Sequence, residues 1–320
     1  MAELPEPIAH LSEAIYRTYA ARRGSEGERS YLGMSTFGTE CDRALWYAWR
    51  KAHPPEVFDG RKLRLFATGH REEARLIEDL RAIGVRIEEV DPQTGEQWAV
   101  SSLGGHLRGH LDGIATNVPD APKTAHVLEC KTHGDKSYKE LIKHGVEKSK
   151  PGHYAQMQLY MHHEGVDRAL YVAVNKNDDS IFTQRVAYDR QVAERLIGRA
   201  RRIIQATNAP AKLFDDPTSK AAFVCQWCPA LAVCHEGALA QFNCRTCLHS
   251  TPVVDDSDNA TWHCELHERD LSLAEQAAGC PQHLYLPSLV PGEQIDADEY
   301  SVTYQMPDGT TWVDEAVPCS

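Results

Sequence analysis

The order of periodic segments along the chain predicts an α/β fold, a mixed central sheet with helices on its faces. Three observations carry that expectation. A long helical pattern over residues 63–83 precedes a run of short strand-like segments, and further helical patterns are interleaved with two more strands, an order that suits a sheet covered by helices. Hydrophobic residues make up 42% of the chain and charged residues 25%, the balance of a soluble globular protein. A chain of 320 residues has room for one domain of about 200 residues and a smaller one beside it.

In chain order, residues 7–22 place Ile8, Leu11, Ile15 and Tyr19 at helical spacing, and a loop rich in Gly, Ser and Glu follows. Segment 41–51 reads as a helix carrying Leu45, Trp46 and Trp49. The helix over 63–83 presents Leu65, Leu76, Ile77 and Leu80, and Gly84 ends it. Runs at 85–90 and 97–101 flank a Thr94-Gly95 turn and read as a hairpin. Strands over 107–117 and 125–132 are separated by the turn-rich 119–123, which lets them lie side by side. Helices are expected over 136–144 and 153–164, separated by a Lys-rich loop ending at Pro151. Strands over 169–175 and 181–187 and a helix over 189–207 complete this part. Composition shifts at 208–219, rich in Pro, Asp and Ala, and beyond Cys225 the chain is rich in Cys and His. The expected division is a first domain over 1–236 and a Cys/His-rich module over 237–320. Residues 300–313, with a Pro307-Asp-Gly turn, read as a terminal hairpin.

No apolar run approaches membrane-spanning length, and the N-terminus lacks the basic start and apolar stretch of a secretory signal, so a cytoplasmic protein is expected. In that reducing setting the ten cysteines favour metal or cluster binding over disulfides. The net charge of −12 is unevenly spread: nine acids and no Lys or Arg lie from Asp270 onward, leaving residues 1–269 at −3. Within that part Lys131, Lys136, Lys139, Lys143, Lys148 and Lys150 crowd one segment. A local basic patch of this kind can hold phosphate despite an acidic total. Arg195, Arg199, Arg201 and Arg202 follow on a later helix and read as a solvated face.

The chemistry concentrates in Gly109-His-Leu-Asp-Gly and Val127-Leu-Glu-Cys-Lys-Thr. Strand alternation points Glu129 and Lys131 the same way and Cys130 into the core, with the Cys130 carbonyl beside them. Asp112 on the neighbouring strand brings a second carboxylate. Hard oxygen ligands at one sheet edge suit Mg²⁺ or Mn²⁺, and a lysine beside them can steady a water nucleophile or a phosphate charge. That is equipment for cutting a phosphodiester bond. A lysine near a bound cation in a cleft is also expected to have its pKa pushed down. A nucleophilic role for Cys130 is disfavoured because alternation buries it. Two flanking groups accompany these residues: Glu73 in Gly69-His-Arg-Glu-Glu73, and Gln156 with Tyr160, four apart on one helix face. Taken singly, Glu73 reads as a surface acid and Gln156 as a surface amide.

The set Glu73, Asp112, Glu129-x-Lys131 and Gln156-x-x-x-Tyr160, in this order over about residues 35–190, resembles the RecB-type nuclease domain of the PD-(D/E)XK superfamily, with a restriction-endonuclease-like core. It is also similar to phage recombination exonucleases of the lambda-exonuclease kind. The proline of the superfamily name is Leu111 here. The resemblance implies that Asp112, Glu129 and the Cys130 carbonyl bind the divalent metal with support from Glu73. It further implies that Lys131 orients or deprotonates the attacking water, and that Gln156 and Tyr160 position DNA or the surroundings of Lys131. His110, His153, Lys136, Lys150 and Lys176 are candidates for DNA contact; for the two histidines a packed or surface role is the plainer reading.

Cys225-Gln-Trp-Cys228 and Cys234 form a C-x2-C-x5-C run, and Cys41 is the leading candidate for a fourth ligand. One cysteine ahead of the core and three behind it resembles the iron–sulfur staple of AddB-type and CRISPR-adaptation nucleases, which implies a structural 4Fe–4S cluster; zinc with the same ligands is the alternative. A second set, Cys244-Arg-Thr-Cys247, Cys264 and Cys280, has spacing suited to a zinc ribbon, with His267 or His283 as possible substitutes for one ligand. Cys319 has no assigned partner. The leading expectation is a metal-dependent DNA exonuclease of phage type, serving recombination or end processing, with a single-strand annealing protein as partner. A restriction-type or structure-specific endonuclease on the same core is the nearest alternative, and a non-catalytic DNA-binding adaptor with a metal scaffold is the alternative of another class.

Overall fold

The computed structural model describes residues 10–23 and 29–317, so the start of the first expected helix and Cys319 lie outside the described residues. The chain forms α1 (His10–Arg23), β1 (Leu32–Gly33), α2 (Asp42–Trp49), α3 (Gly60–Ala82), β2 (Arg86–Glu88), β3 (Ala99–Ser102), β4 (Leu107–His110), β5 (Gly113–Thr116), β6 (His126–His133), α4 (Asp135–Ser149), α5 (Pro151–Glu164), β7 (Arg168–Asn175), β8 (Ile181–Ala187) and α6 (Arg190–Gln205). Beyond these lie α7 (Leu231–His235), β9 (Ser250–Pro252), β10 (Trp262–Cys264), β11 (Arg269–Leu271), α8 (Leu273–Ala278), β12 (Glu293–Ala297), β13 (Ser301–Gln305) and β14 (Thr311–Glu315).

The central sheet has the order β2-β5-β6-β7-β8. Within this sheet only β6 and β7 run parallel, and α4 and α5 make the crossover between them that a parallel pair requires. The expected mixed sheet flanked by helices is therefore what forms. On one face, Leu76 and Ile77 of α3 pack on Leu128, Cys130, Val172 and Val174. The other face belongs to a larger core that takes in α5 and reaches Trp46, Trp49 and Trp262. Strand β7 is buried almost throughout, as a central strand covered on both faces must be, whereas the edge strand β8 alternates.

Local signals set the element ends. Asp59 caps α3 by accepting from the Lys62 N–H at 2.6 Å, starting the helix one turn ahead of its apolar pattern. Cys41 caps α2 through its sulfur, which accepts from the Ala44 N–H at 3.4 Å. Asp189 caps α6.

Three expectations fail here. The hairpin expected from 85–90 and 97–101 closes only at its tip, where Val90 bridges Gln97 and the Asp91 and Trp98 N–H groups donate to the Glu96 and Glu89 carbonyls; the arms do not pair beyond it. β2 instead pairs with β5, which carries Ile87 into the core, and β3 pairs with β4. The expected single strand over 107–117 is broken into β4 and β5, which belong to different sheets. The break lies at Asp112-Gly113, where Gly113 takes φ +148°, a conformation open to glycine and costly for other residues. Finally, the first crossover helix breaks at Gly145 as its expected end at residue 144 requires, but the segment after it is a further helical turn rather than a loop. The lysines of the expected loop are good helix formers with solvated side chains, and α4 runs on to Ser149 through a kink at Gly145.

The C-terminal residues build two small sheets, β11-β10-β9 and β12-β13-β14, the second including the expected terminal pairing of β13 with β14. Among the described residues no helix is long and apolar enough to cross a membrane.

His106 ties these residues to the rest. It is 0% exposed, lies edge-on to Trp49 and Trp262, and its Nε2 is 3.1 Å from the carbonyl oxygens of Val253 and Thr261. Burial, aided by the Arg245 charge and opposed by those carbonyls and Asp255, lowers its pKa to about 4. Its folded pKa lies below the unfolded value, so the stability it confers is complete above about pH 6.5 and is lost as pH falls towards about 4, at most ~3 kcal/mol. Urea denaturation at pH 7 and pH 4.5 should show a smaller acid-induced loss in His106→Gln than in the wild type. Equal losses would refute the assignment.

Candidate active site

The site forms where β5 and β6 part. Their antiparallel pairing ends at Gly113 and Leu128, which leaves the Cys130 N–H beyond the ladder; the Asp112 carboxylate accepts it at 2.7 Å. The same break that removes Asp112 from a strand thus aims its side chain at β6. Glu129 is 0% exposed and forms an ion pair with Lys131, two residues along the same face. Its other oxygen accepts from Gln156 Nε2 at 3.3 Å. Gln156 Nε2 also donates to the Tyr160 hydroxyl at 3.0 Å, and that hydroxyl donates to the His110 carbonyl at 2.9 Å. Glu73, on α3, faces the group from across the cleft, half-buried.

Electrostatics confirm the crowding. Burial raises the Asp112 pKa against the pull of Lys131. Burial also raises Glu73, with the Asp112 charge adding to it, and raises Glu129, where Asp112 and Glu73 outlast part of the relief from Lys131. Burial works against the Lys131 ammonium, but Glu129 and Asp112 outweigh it and hold the group protonated. The lowering expected from the sequence therefore depends on a cation among the carboxylates. Carboxylate oxygens gathered about one lysine, one carboxylate wholly buried, are the donor type that suits a hard divalent cation.

Each sequence-derived candidate can be located. Gln156, 7% exposed, is no surface amide. Cys130 is buried on the opposite face of β6, where burial raises its thiol pKa, which excludes a ready nucleophile. His110 is exposed, with its Nε2 3.3 Å from the Tyr31 hydroxyl. Lys136 and Lys176 are exposed and Lys150 is half-buried at the start of α5; Lys176 lines the cleft beside Lys131. His153 is occupied by Tyr171, whose hydroxyl lies 2.9 Å from its Nδ1 and 2.8 Å from His133 Nε2. Ser137 Oγ extends this chain, 3.1 Å from His133 Nδ1. His133 and Tyr171 were not among the candidates. The signal for His133 was available: it lies two residues beyond Lys131 and therefore on the same strand face.

The cysteines fall into the two expected groups. Cys41, Cys225, Cys228 and Cys234 line one cavity with Tyr47 and His235. Cys244, Cys247, Cys264 and Cys280 are neighbours close enough that, after burial, the other thiols raise Cys244 to about 11. His267 Nε2 stands 4.0 Å from Cys280 Sγ, while His283 turns to Thr246 Oγ1 at 3.3 Å between the rings of Phe242 and Tyr285. Among the described residues, no group of three or more His, Cys, Asp or Glu side chains, carboxylates or thiols, stands as placed where it could hold a metal ion. The four-thiol sets are soft donor sets of the kind that hold zinc or iron–sulfur clusters.

A family model for the PD-(D/E)XK nuclease superfamily matches residues 14–235. No curated protein matches the chain. Solved structures similar to it include SSO0001, with 14% identity and a TM-score of 0.39, covering 70% of this chain and 96% of that one. An alkaline exonuclease, LHK-Exo from Laribacter hongkongensis, has 16% identity and a TM-score of 0.38 over 58% of this chain and 90% of that one. Its complex with dAMP has 16% identity and a TM-score of 0.35 over 60% and 90%.

Proposed function

Because the chain belongs to the PD-(D/E)XK nuclease superfamily, we propose that it is a Mg²⁺- or Mn²⁺-dependent deoxyribonuclease that degrades DNA from an end, in recombination or end processing of phage type. The observation that carries this reading is the gathering of Glu73, Asp112 and Glu129 about Lys131 where β5 and β6 part in the middle of the sheet. Asp112, Glu129 and the Cys130 carbonyl are assigned to the cation, with Glu73 in support. When bound, the cation supplies charge neutralisation at the phosphate and a more acidic water. The carboxylates that hold Lys131 protonated are those that would hold the cation; Lys131, its ammonium proton first lost to solvent, would then take the proton of the attacking water as a neutral amine. The new bond joins that water oxygen to phosphorus as the bond to the leaving deoxyribose oxygen breaks, and that oxygen takes a proton from solvent. Gln156 fixes the orientation of Glu129, and Tyr160 fixes Gln156 against the His110 carbonyl. His110, His153, Lys136, Lys150 and Lys176 are assigned to the DNA backbone.

The thiols of Cys41, Cys225, Cys228 and Cys234 are assigned to a 4Fe–4S cluster that ties α2 to the segment after the core, with zinc as the alternative occupant. Cys244, Cys247, Cys264 and Cys280 are assigned to zinc. For a role in recombination, a single-strand annealing protein is the proposed partner. The test uses end-labelled linear DNA, single- and double-stranded, beside a covalently closed circle. Linear DNA should lose nucleotides with Mg²⁺ or Mn²⁺, EDTA should stop the reaction, and the circle should survive. Cutting of the circle would establish an endonuclease instead, and no cleavage with either metal would leave a DNA-binding adaptor.

A further inference from the structure

Resting on the nuclease reading, we propose that Phe66 is a stacking platform for an unpaired nucleobase, so that the site takes single-stranded or frayed DNA ends. The cleft that holds Glu73 and Lys131 has a volume of about 400 Å³, within the range that admits a nucleotide-sized ligand. One wall of it is α3. Phe66, His70 and Glu73 recur on that helix at i, i+4 and i+7, so the ring and the carboxylate share one face. Phe66 is 43% exposed and Leu65 beside it 48%, although both line the cavity. Phe58 meets Phe66 at 84° with ring centroids 5.2 Å apart, a contact that holds the ring in place while leaving much of it exposed.

Between this apolar surface and the carboxylates lies Gly69, above which a Cβ would meet nothing within 4 Å. The helix backbone is thus open to close approach at the point where a nucleotide would cross it. Lys131 and Lys176 border the same cleft and can meet a phosphate there, so its apolar wall is free to face something other than phosphate. In a duplex the bases are paired and stacked inside, and the one free face, that of the terminal pair, is as wide as the pair and held rigidly across the helix axis. An unpaired base presents a free face of its own, and stacking on an aromatic ring is worth about 1–3 kcal/mol per base.

The experiment compares wild type, Phe66→Ala and Phe66→Tyr on single-stranded and blunt double-stranded oligonucleotides. Each substrate carries either a normal or an abasic terminal nucleotide, and both ends are tested. Phe66→Ala should raise KM for single strands about tenfold, which corresponds to ~1.4 kcal/mol, with kcat little changed and blunt duplex nearly unaffected. Phe66→Tyr should restore wild-type behaviour. An abasic end should cost the wild type the same factor and Phe66→Ala nothing more. In parallel, 2-aminopurine at the strand end, with Ca²⁺ as a non-cleaving cation, should be quenched by wild type and not by Phe66→Ala. Equal cleavage of single strands by wild type and Phe66→Ala, or an equal further loss on abasic ends, would overturn the proposal. If the wild type cleaves nothing, the nuclease reading fails by itself, while the fluorescence still reads the stacking.

Discussion

Lys131→Ala should lower the DNA cleavage rate by about 100- to 10,000-fold, the usual worth of a positioned acid–base group, with KM nearly unchanged. Lys131 is ion-paired with Glu129. Glu129 is wholly buried and already raised by burial and by Asp112 and Glu73. Removing the ammonium leaves these carboxylates to repel one another with less relief. The metal-free variant should therefore be less stable than the wild type. The variant should also gain more from added Mg²⁺, because binding to the native state stabilises it by mass action. Two measurements check this: single-turnover cleavage of linear DNA, and the Tm shift on titration with Mg²⁺. A variant that degrades DNA at the normal rate would remove Lys131 from the chemistry. A variant that has lost both cleavage and the Mg²⁺-dependent Tm shift would show that the lysine organises the cation site rather than the water.

Much of this site was legible because its determinants are local. Strand alternation placed Glu129 with Lys131 and turned Cys130 away, and a four-residue spacing put Gln156 with Tyr160. What was not legible depends on distant partners or on one backbone angle. The break at Gly113 decides where Asp112 points, yet a glycine in an otherwise regular strand pattern does not announce a φ of +148°. The hairpin expected from 85–101 had good turn chemistry, but β5 and β4 offered each arm a better-packed neighbour, and tertiary pairing overrode the local signal. Gln156 and Glu73 read singly as surface groups because nothing nearby in sequence reveals the buried carboxylate they approach. Tyr171 reaches His133 and His153 only through the parallel register of β6 on β7, in which Glu129 lies beside Tyr171. Phe66 is hidden differently: it fits an apolar helical pattern, and its exposure becomes meaningful only once the cleft is placed beside it.

Replacing Cys247 with alanine should unfold more than a small metal module. The Cys244–Cys247 turn contains Arg245, which is 2% exposed and enters the core of the nuclease part. Its guanidinium donates to the Trp49 carbonyl at 3.0 Å, the Ser30 carbonyl at 2.9 Å and Gln276 Oε1 at 2.8 Å. Its own carbonyl accepts from Arg50 Nη1 at 2.7 Å, and both guanidinium groups lie over the ring of Trp262. Burial, and then the Arg245 charge, lowers Arg50 to about 9, so at neutral pH two buried cations depend on this hydrogen-bond frame. If zinc holds the turn, its loss frees the backbone that seats Arg245, and a buried charge left without its frame costs about 3–5 kcal/mol. At roughly 2–4 °C per kcal/mol the Tm should fall by on the order of 10 °C, and the emission of Trp49 and Trp262 should shift to the red. Metal analysis of anaerobically purified wild type should give zinc at one per chain. Iron and absorbance near 400 nm should accompany it if Cys41, Cys225, Cys228 and Cys234 hold a cluster. Cys247→Ala should lose the zinc and keep the iron, because the two thiol sets are separate. A Cys247→Ala protein with unchanged Tm and tryptophan emission would mean that Arg245 is seated by packing alone and that the thiols contribute nothing to the fold.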